Sequence, residues 1–173
     1  MIKTSLIAAS VLAASAAVAN AQPAEPAAAP TSSGSIGLGA EYQVGFGSAT
    51  LGGISANYDT SMFHAGAFFG MQDPSGAPST IEFGGRFWYH VAHAAAADFS
   101  VGGSVGVGIV PGAMGGHDTD ILIEPGFQIR AWVTPNVALS FTGAFSILTG
   151  DPDTSLAIGG QVTGTAGVHY YFR

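Results

Sequence analysis

The sequence predicts an all-β chain that folds as an eight-stranded antiparallel up-and-down transmembrane β-barrel. Three observations favour this fold class: side chains alternate between apolar and polar along eight segments, charged residues are scarce, and no apolar run after residue 21 is long enough for a membrane helix. Only 9% of the 173 residues are charged and 47% are hydrophobic, whereas a soluble domain usually carries about 25% charged residues. A closed sheet can cross lipid because it satisfies every backbone polar group. Apolar residues that alternate with polar ones along each strand suit such a barrel.

The clearest alternation runs over residues 80–91. One face holds only apolar residues and glycine, namely Ile81, Phe83, Gly85, Phe87, Tyr89 and Val91. The other face carries Glu82 and Arg86. A period of two indicates a β-strand, and the segment is about as long as a tilted strand that crosses a bilayer. A soluble antiparallel sheet with one wet face also alternates, so the prediction depends on repetition of the pattern along the chain.

Residues 1–21 are predicted to be a cleaved secretory signal peptide. Lys3 supplies the positive start, an apolar stretch follows, and Ala19-Asn20-Ala21 fits the small-x-small cleavage rule. Residues 22–34 are rich in Pro, Ala and Ser and are predicted to be a linker. Export indicates a bacterial envelope protein.

The barrel is predicted to occupy residues 35–173. Its eight strands are predicted at about 35–46, 50–58, 62–71, 80–91, 99–109, 120–133, 137–149 and 156–172. Tight turns are expected at 59–61 and 134–136, an alanine-rich turn at 93–98, and the longest loop at 111–118. Pro125 interrupts the sixth strand, so a bulge or a local gap in the ladder is expected there.

An even number of strands places both ends of the barrel on one side of the membrane, which we take as the periplasm. Six aromatic residues then face outward at the periplasmic strand ends: Tyr58, Phe63, Tyr89, Phe99, Tyr170 and Phe172. This arrangement predicts an interfacial aromatic girdle. A thinner outer girdle would comprise Phe46, Phe69 and Phe83.

Over residues 35–172 the chain resembles the small eight-stranded outer-membrane β-barrels of Gram-negative bacteria, the OmpA-like and OmpX-like group. The most specific local feature is the alternation of Val168, Tyr170 and Phe172 up to a near-terminal aromatic. In that family this pattern is an assembly signal read by the barrel-assembly machinery, and the family usually ends at the aromatic, whereas Arg173 follows it here. The resemblance implies insertion in outer-membrane lipid as a monomer.

Five charged residues are predicted to point into the lumen: Glu41, Glu82, Arg86, Glu124 and Arg130. An eight-stranded barrel is just wide enough to fill with its own side chains, and an isolated buried charge costs several kcal/mol. The sequence therefore predicts a luminal ion-pair network that plugs the barrel and a mainly structural envelope role. A narrow, gated, porin-like pore that opens when these pairs rearrange is the alternative.

Other functions find little support in the sequence. The net charge of −7 and the four Lys and Arg residues provide no basic patch for nucleic acid. A lipid A-modifying barrel enzyme is a second and weaker alternative, because His64, His90 and His169 are predicted inward but none has a serine and an acid at a spacing typical of a hydrolase. No enzyme is therefore predicted. There is no cysteine, and neither 117–120 nor 151–153 fits a known cation loop. No catalytic residue, cofactor or metal is therefore expected.

Overall fold

A computed structural model describes residues 34–42, 52–73, 75–76, 78–112, 116–149, 154–158 and 166–172. The regular elements in this part of the chain are β1 Ser35–Tyr42, β2 Gly52–Asp59, β3 Phe63–Gln72, β4 Thr80–Ala94, β5 Ala97–Pro111, β6 His117–Thr134, β7 Val137–Thr149, β8 Thr154–Ile158 and β9 Ala166–Phe172. No helix in these ranges is both long and apolar enough to cross a membrane. Residues 1–33, which hold the predicted signal peptide and most of the linker, lie outside the described residues.

The strands close into an antiparallel barrel of eight strands. Each strand from β1 to β7 pairs with the next along the chain, and β9 completes the ring because it pairs with both β1 and β7. The short β8 pairs with the far end of β7, so β8 and β9 together form the eighth strand. The predicted fold class is therefore confirmed. Predicted strand residues 43–46, 50–51 and 159–165 lie outside the described residues.

The two faces of the wall have the predicted orientation. Phe87, Ile129 and Val168 point outward and are 49%, 44% and 46% exposed. Arg86 and Glu124 point into the lumen and are 5% and 1% exposed. The apolar side chains therefore form the outer surface and the polar side chains form the packed interior, which is the reverse of a water-soluble protein.

Three tight turns join strands at the end of the barrel that also holds Ser35 and Phe172, hereafter the short-turn end. In the first turn, the hydroxyl of Thr60 accepts a 3.0 Å hydrogen bond from the backbone N–H of Phe63 and donates one of 2.8 Å to its carbonyl. This turn begins one residue later than predicted, because Asp59 remains paired with His64. The turn predicted at 134–136 comprises only Pro135 and Asn136, since Thr134 pairs with Val137.

Two other predicted connections are wrong in extent. The turn expected at 93–98 comprises only Ala95 and Ala96, because His93 and Asp98 remain paired between β4 and β5. The loop expected at 111–118 is also shorter, since Pro111 pairs with His117. Strong strand pairing thus extends beyond the alternating apolar pattern at both ends of β5.

The ladder contains local irregularities. The pairing of β6 with β7 is interrupted at Glu124 and Pro125 and resumes in the same register, so the proline produces the predicted gap rather than a bulge. Register shifts occur between His90 and Ala92 in β4, and between Trp132 and Thr134 in β6. Both shifts lie near the short-turn end, where they change the direction of the adjoining side chains.

Candidate functional site: the polar lumen

A first group of polar side chains, the middle cluster, surrounds Arg86 in the lumen. The Arg86 guanidinium forms an ion pair with Glu41 and donates hydrogen bonds of 3.2 and 3.0 Å from Nε and Nη2 to Asn57 Oδ1. Ser55 donates a 2.7 Å hydrogen bond to Glu41 Oε1, and His169 Nε2 lies 3.0 Å from the same oxygen. The cluster joins β1, β2, β4 and β9, so it connects strands on both sides of the barrel closure.

A second group, the Arg130 cluster, lies nearer the short-turn end. Arg130 binds Asp98 through two hydrogen bonds, Nε to Oδ1 at 2.9 Å and Nη2 to Oδ2 at 3.0 Å. The same guanidinium forms an ion pair with Asp59 and donates a 2.9 Å hydrogen bond to the hydroxyl of Tyr171. These partners come from β2, β5 and β9, and Arg130 itself from β6, so one side chain ties together four strands of the wall.

Aromatic rings pack against the Arg130 cluster. The guanidinium carbon lies 5.5 Å from the ring centroid of Trp132 and 5.9 Å from that of Tyr171. The two rings are 4.9 Å apart, and the indole N–H of Trp132 donates a 3.2 Å hydrogen bond to Asp98. Cation–π contacts of this kind strengthen when they are desolvated. The aromatic pair and the ion pairs thus fill the lumen together at this level.

Two histidines adjoin the Arg130 cluster. His64 Nδ1 lies 2.8 Å from His90 Nε2, and Arg130 Nη2 lies 3.1 Å from the same nitrogen of His90. Asp59 Oδ1 lies 3.8 Å from it. No metal ligands were expected from the sequence, but the structure brings Asp59, His64 and His90 together with ligand atoms within 4.8 Å of one another.

Glu124 and Glu82 lie on the other side of the middle cluster. Ser146 donates a hydrogen bond to Glu124 Oε1, and Ser104 donates one of 3.4 Å to Oε2. Glu82 pairs through its backbone with Gly108 and is only partly buried.

The five predicted luminal charges therefore fall in different places. Arg86 and Glu41 meet in the middle cluster, Arg130 lies in its own cluster, and the two remaining glutamates lie elsewhere in the lumen. Sequence reasoning missed the partners of Arg130, because Asp59 and Asp98 were assigned to turns. A signal was available: each continues the inward set of its strand by one step, Asp59 after Asn57 and Asp98 before Ser100.

The middle cluster also contains a serine, a histidine and an acid, which the sequence analysis did not foresee. Ser55 Oγ lies 2.7 Å from His169 Nε2, and Glu41 Oε1 lies 3.0 Å from that same nitrogen. In a catalytic triad the acid binds the opposite ring nitrogen from the serine. His169 Nδ1 is instead buried without a hydrogen-bond partner among the described residues. The arrangement is that of a packed polar core.

The six aromatics of the predicted inner girdle lie towards the short-turn end on the outside of the wall. Tyr58 and Phe172 are both register partners of Ile36, and Phe63 is the partner of Tyr89. Five of the six are exposed, and Phe63 is partly covered by Phe87, with ring centroids 5.2 Å apart. Of the predicted outer girdle, Phe69 and Phe83 are register partners, and Phe46 lies outside the described residues.

The closed eight-stranded wall, the apolar exterior and the ion-paired interior define the fold of a small outer-membrane β-barrel. The chain is similar in structure to Neisserial surface protein A, with a TM-score of 0.50 over 80% of this chain and 95% of that one. The two sequences are 19% identical over this region, so the likeness establishes the fold. No family model and no curated protein matches the sequence.

Proposed function

We propose that this chain is an integral outer-membrane β-barrel of the Gram-negative cell envelope, with a mainly structural role and a lumen plugged by ion pairs. The outer face of the wall supports insertion in lipid, since Phe87, Phe127 and Phe141 project from neighbouring parts of the sheet and are about half exposed. A charge-free apolar band of this kind is stable in acyl chains and is unfavourable in water.

The proposed orientation places the short-turn end in the periplasm. The predicted signal peptide, residues 1–21, directs export, and residues 22–34 then lie on the periplasmic side as a linker. The outward alternation of Val168, Tyr170 and Phe172 is proposed to be read by the barrel-assembly machinery. Their strand, β9, pairs with β1 and closes the barrel. Machinery that binds β9 would therefore hold the strand that completes the ring.

The observation that carries the proposed plug is that both arginines reach across the interior. Arg86 on β4 pairs with Glu41 on β1, and Arg130 on β6 pairs with Asp59 on β2. Strands β1 and β4 are not neighbours in the sheet, nor are β2 and β6. Breaking a buried ion pair costs about 3–5 kcal/mol, so these two ion pairs across the lumen oppose the opening of a channel.

Planar-bilayer recording tests the plug against a narrow pore. The plugged barrel is expected to give a flat trace for the wild type, and refolding is first verified by heat-modifiable migration on a gel. Arg86→Ala, which removes the ion pair with Glu41, is compared with Phe87→Ala, which alters an outward-facing residue on the same strand. Discrete conductance steps in the wild type that change in Arg86→Ala but not in Phe87→Ala would establish the pore and refute the plug.

A further inference from the structure

The three potential ligands at the short-turn end have a geometry close to that of a metal site. His64 Nδ1 and His90 Nε2 are 2.8 Å apart, and Asp59 Oδ1 lies 3.8 Å from the latter. A tetrahedral Zn²⁺ with Zn–N distances of about 2.0–2.1 Å requires about 3.3 Å between neighbouring ligand atoms. Small side-chain movements within this group therefore suffice to reach that spacing.

The buried charges near these ligands do not balance. Asp59 and Asp98 are each 3% exposed and carry two negative charges, while Arg130 supplies one positive charge. The other arginine in the described part of the chain, Arg86, is paired with Glu41. Neutral imidazoles leave one excess negative charge in the Arg130 cluster, and a buried uncompensated charge costs several kcal/mol. The excess negative charge attracts a cation to this group.

The hydrogen bonds of the histidines also leave a ligand position suited to a cation. His64 Nδ1 and Arg130 Nη2 both lie within hydrogen-bond distance of His90 Nε2, so a cation bound there would displace both donors and would require the His64 proton to move to its Nε2. Arg130 Nη2 is always a donor, so His90 Nε2 is the acceptor and carries the lone pair. His90 Nδ1 is then the protonated nitrogen, and it is buried without a hydrogen-bond partner among the described residues. The side chain of Gln128 lies next to His64, where outer partners of metal-bound histidines are found.

We propose that Asp59, His64 and His90 form a binding site for a divalent transition cation of the Zn²⁺ class, at the short-turn end of the lumen. Two imidazole nitrogens and one carboxylate oxygen are a common set of protein ligands for Zn²⁺, and the fourth position is left for water. The site does not depend on the proposed structural role, because a plugged barrel and a narrow pore would both retain it.

Arg130 competes with the metal. Its Nη2 atom contacts the nitrogen of His90 that would bind the cation, and its Nη1 atom pairs with Asp59. Metal binding therefore requires Nη2 to withdraw from His90 Nε2, while Nη1 contacts Asp59 Oδ2, which is not the proposed ligand oxygen, and Asp98 holds the guanidinium. It follows that removing the guanidinium should strengthen metal binding even though it weakens the barrel.

The test uses the mature chain refolded in detergent micelles and freed of metal with a chelator. Zn²⁺ is titrated by calorimetry, and Co²⁺ by its visible absorption, which is intense for tetrahedral sites. The wild type is expected to bind a single ion, and His64→Gln and His90→Gln are each expected to lose about tenfold or more in affinity. Arg130→Gln is expected to bind more tightly than the wild type.

His117→Gln is the matched control, because His117 is exposed at the far end of the barrel and should leave binding unchanged. X-ray absorption of the Zn²⁺-loaded wild type is expected to show two imidazole ligands. This measurement does not depend on whether a variant folds. The proposal is overturned if the folded wild type shows no saturable binding. It is also overturned if both histidine variants bind as the wild type does, or if the absorption spectrum lacks the two imidazoles.

Discussion

Arg130 and Asp98 face each other as register partners on β6 and β5, and the guanidinium donates two nearly equal hydrogen bonds of 2.9 and 3.0 Å to the carboxylate. This bidentate geometry leaves the Nη1 atom free to reach across the lumen to Asp59 and Tyr171. The pairing with Asp98 fixes the plane of the guanidinium, and that plane determines which strands on the opposite wall Arg130 can reach.

Arg130→Lys should therefore destabilise the barrel although it preserves the charge. A lysine ammonium is a point charge that cannot reproduce the fork of donors, and each hydrogen bond to a charged group contributes about 1.5–3 kcal/mol. We expect a loss of about 1–3 kcal/mol in the free energy of unfolding, measured by urea titration of the protein refolded in lipid vesicles.

A double-mutant cycle with Asp98→Asn isolates the pair. Residues in direct contact show coupling energies of about 0.5–3 kcal/mol, so Arg130→Lys should cost less in the Asp98→Asn background than in the wild type. Equal costs in both backgrounds would mean that the bidentate contact contributes nothing to stability.

The alternation of residues was sufficient to predict the wall but not the contacts within it. It placed Arg86 and Glu124 inside and Phe87 and Ile129 outside, because the period of two is a local property of a strand. Whether Arg86 meets Glu82 on its own strand or Glu41 across the lumen depends on the stagger between strands. That stagger is set when β9 closes on β1, and no short stretch of sequence encodes it.

The same limit applies to His169 and Ser55. They lie on β9 and β2, which are separated in the sheet by β1, and their contact of 2.7 Å exists only in the closed barrel. Partners such as Asp59 and Asp98 were missed for a different reason. Both lie at strand ends, where acidic residues are also typical of turns. They were therefore assigned to turns, although the alternation of their strands places them inward.

Gly37→Val should destabilise the barrel from within. Gly37 points into the lumen opposite its register partner Tyr171, and a Cβ there would lie 2.7 Å from the tyrosine ring. The displaced ring would also strain the hydrogen bond from Arg130 to the Tyr171 hydroxyl. Overpacking of this kind costs about 1–3 kcal/mol, which a shift of the urea midpoint would measure.

Gly85→Ala is the control for this prediction. Gly85 faces outward, and the nearest atom to an added Cβ is the Gly66 carbonyl oxygen at 3.7 Å, an ordinary contact. We expect no loss of stability in this variant. If Gly37→Val were as stable as Gly85→Ala, the close packing of Tyr171 against β1 would be wrong.

Charges on the outer surface should destabilise the barrel according to depth. Phe87 lies in the middle of β4 and faces outward, and arginine at the bilayer midplane costs about 2–4 kcal/mol. Val133, equally exposed at the short-turn end of β6, should accept arginine for about 0–1 kcal/mol. The comparison requires unfolding of both variants from lipid vesicles, and similar costs at the two depths would contradict the proposed membrane position.

Pro125→Val should stabilise the barrel, because the proline leaves a gap between β6 and β7. The register between β6 and β7 skips Pro125, which has no backbone N–H, whereas on the β5 side Pro125 pairs with Gly103. Valine restores a backbone donor and has a high β-propensity on an outward-facing position. One additional ladder hydrogen bond is worth about 0.5–1.5 kcal/mol. We expect a higher urea midpoint and slower amide exchange in β7 opposite the gap, and an unchanged or lower midpoint would show that the gap relieves strain in the wall.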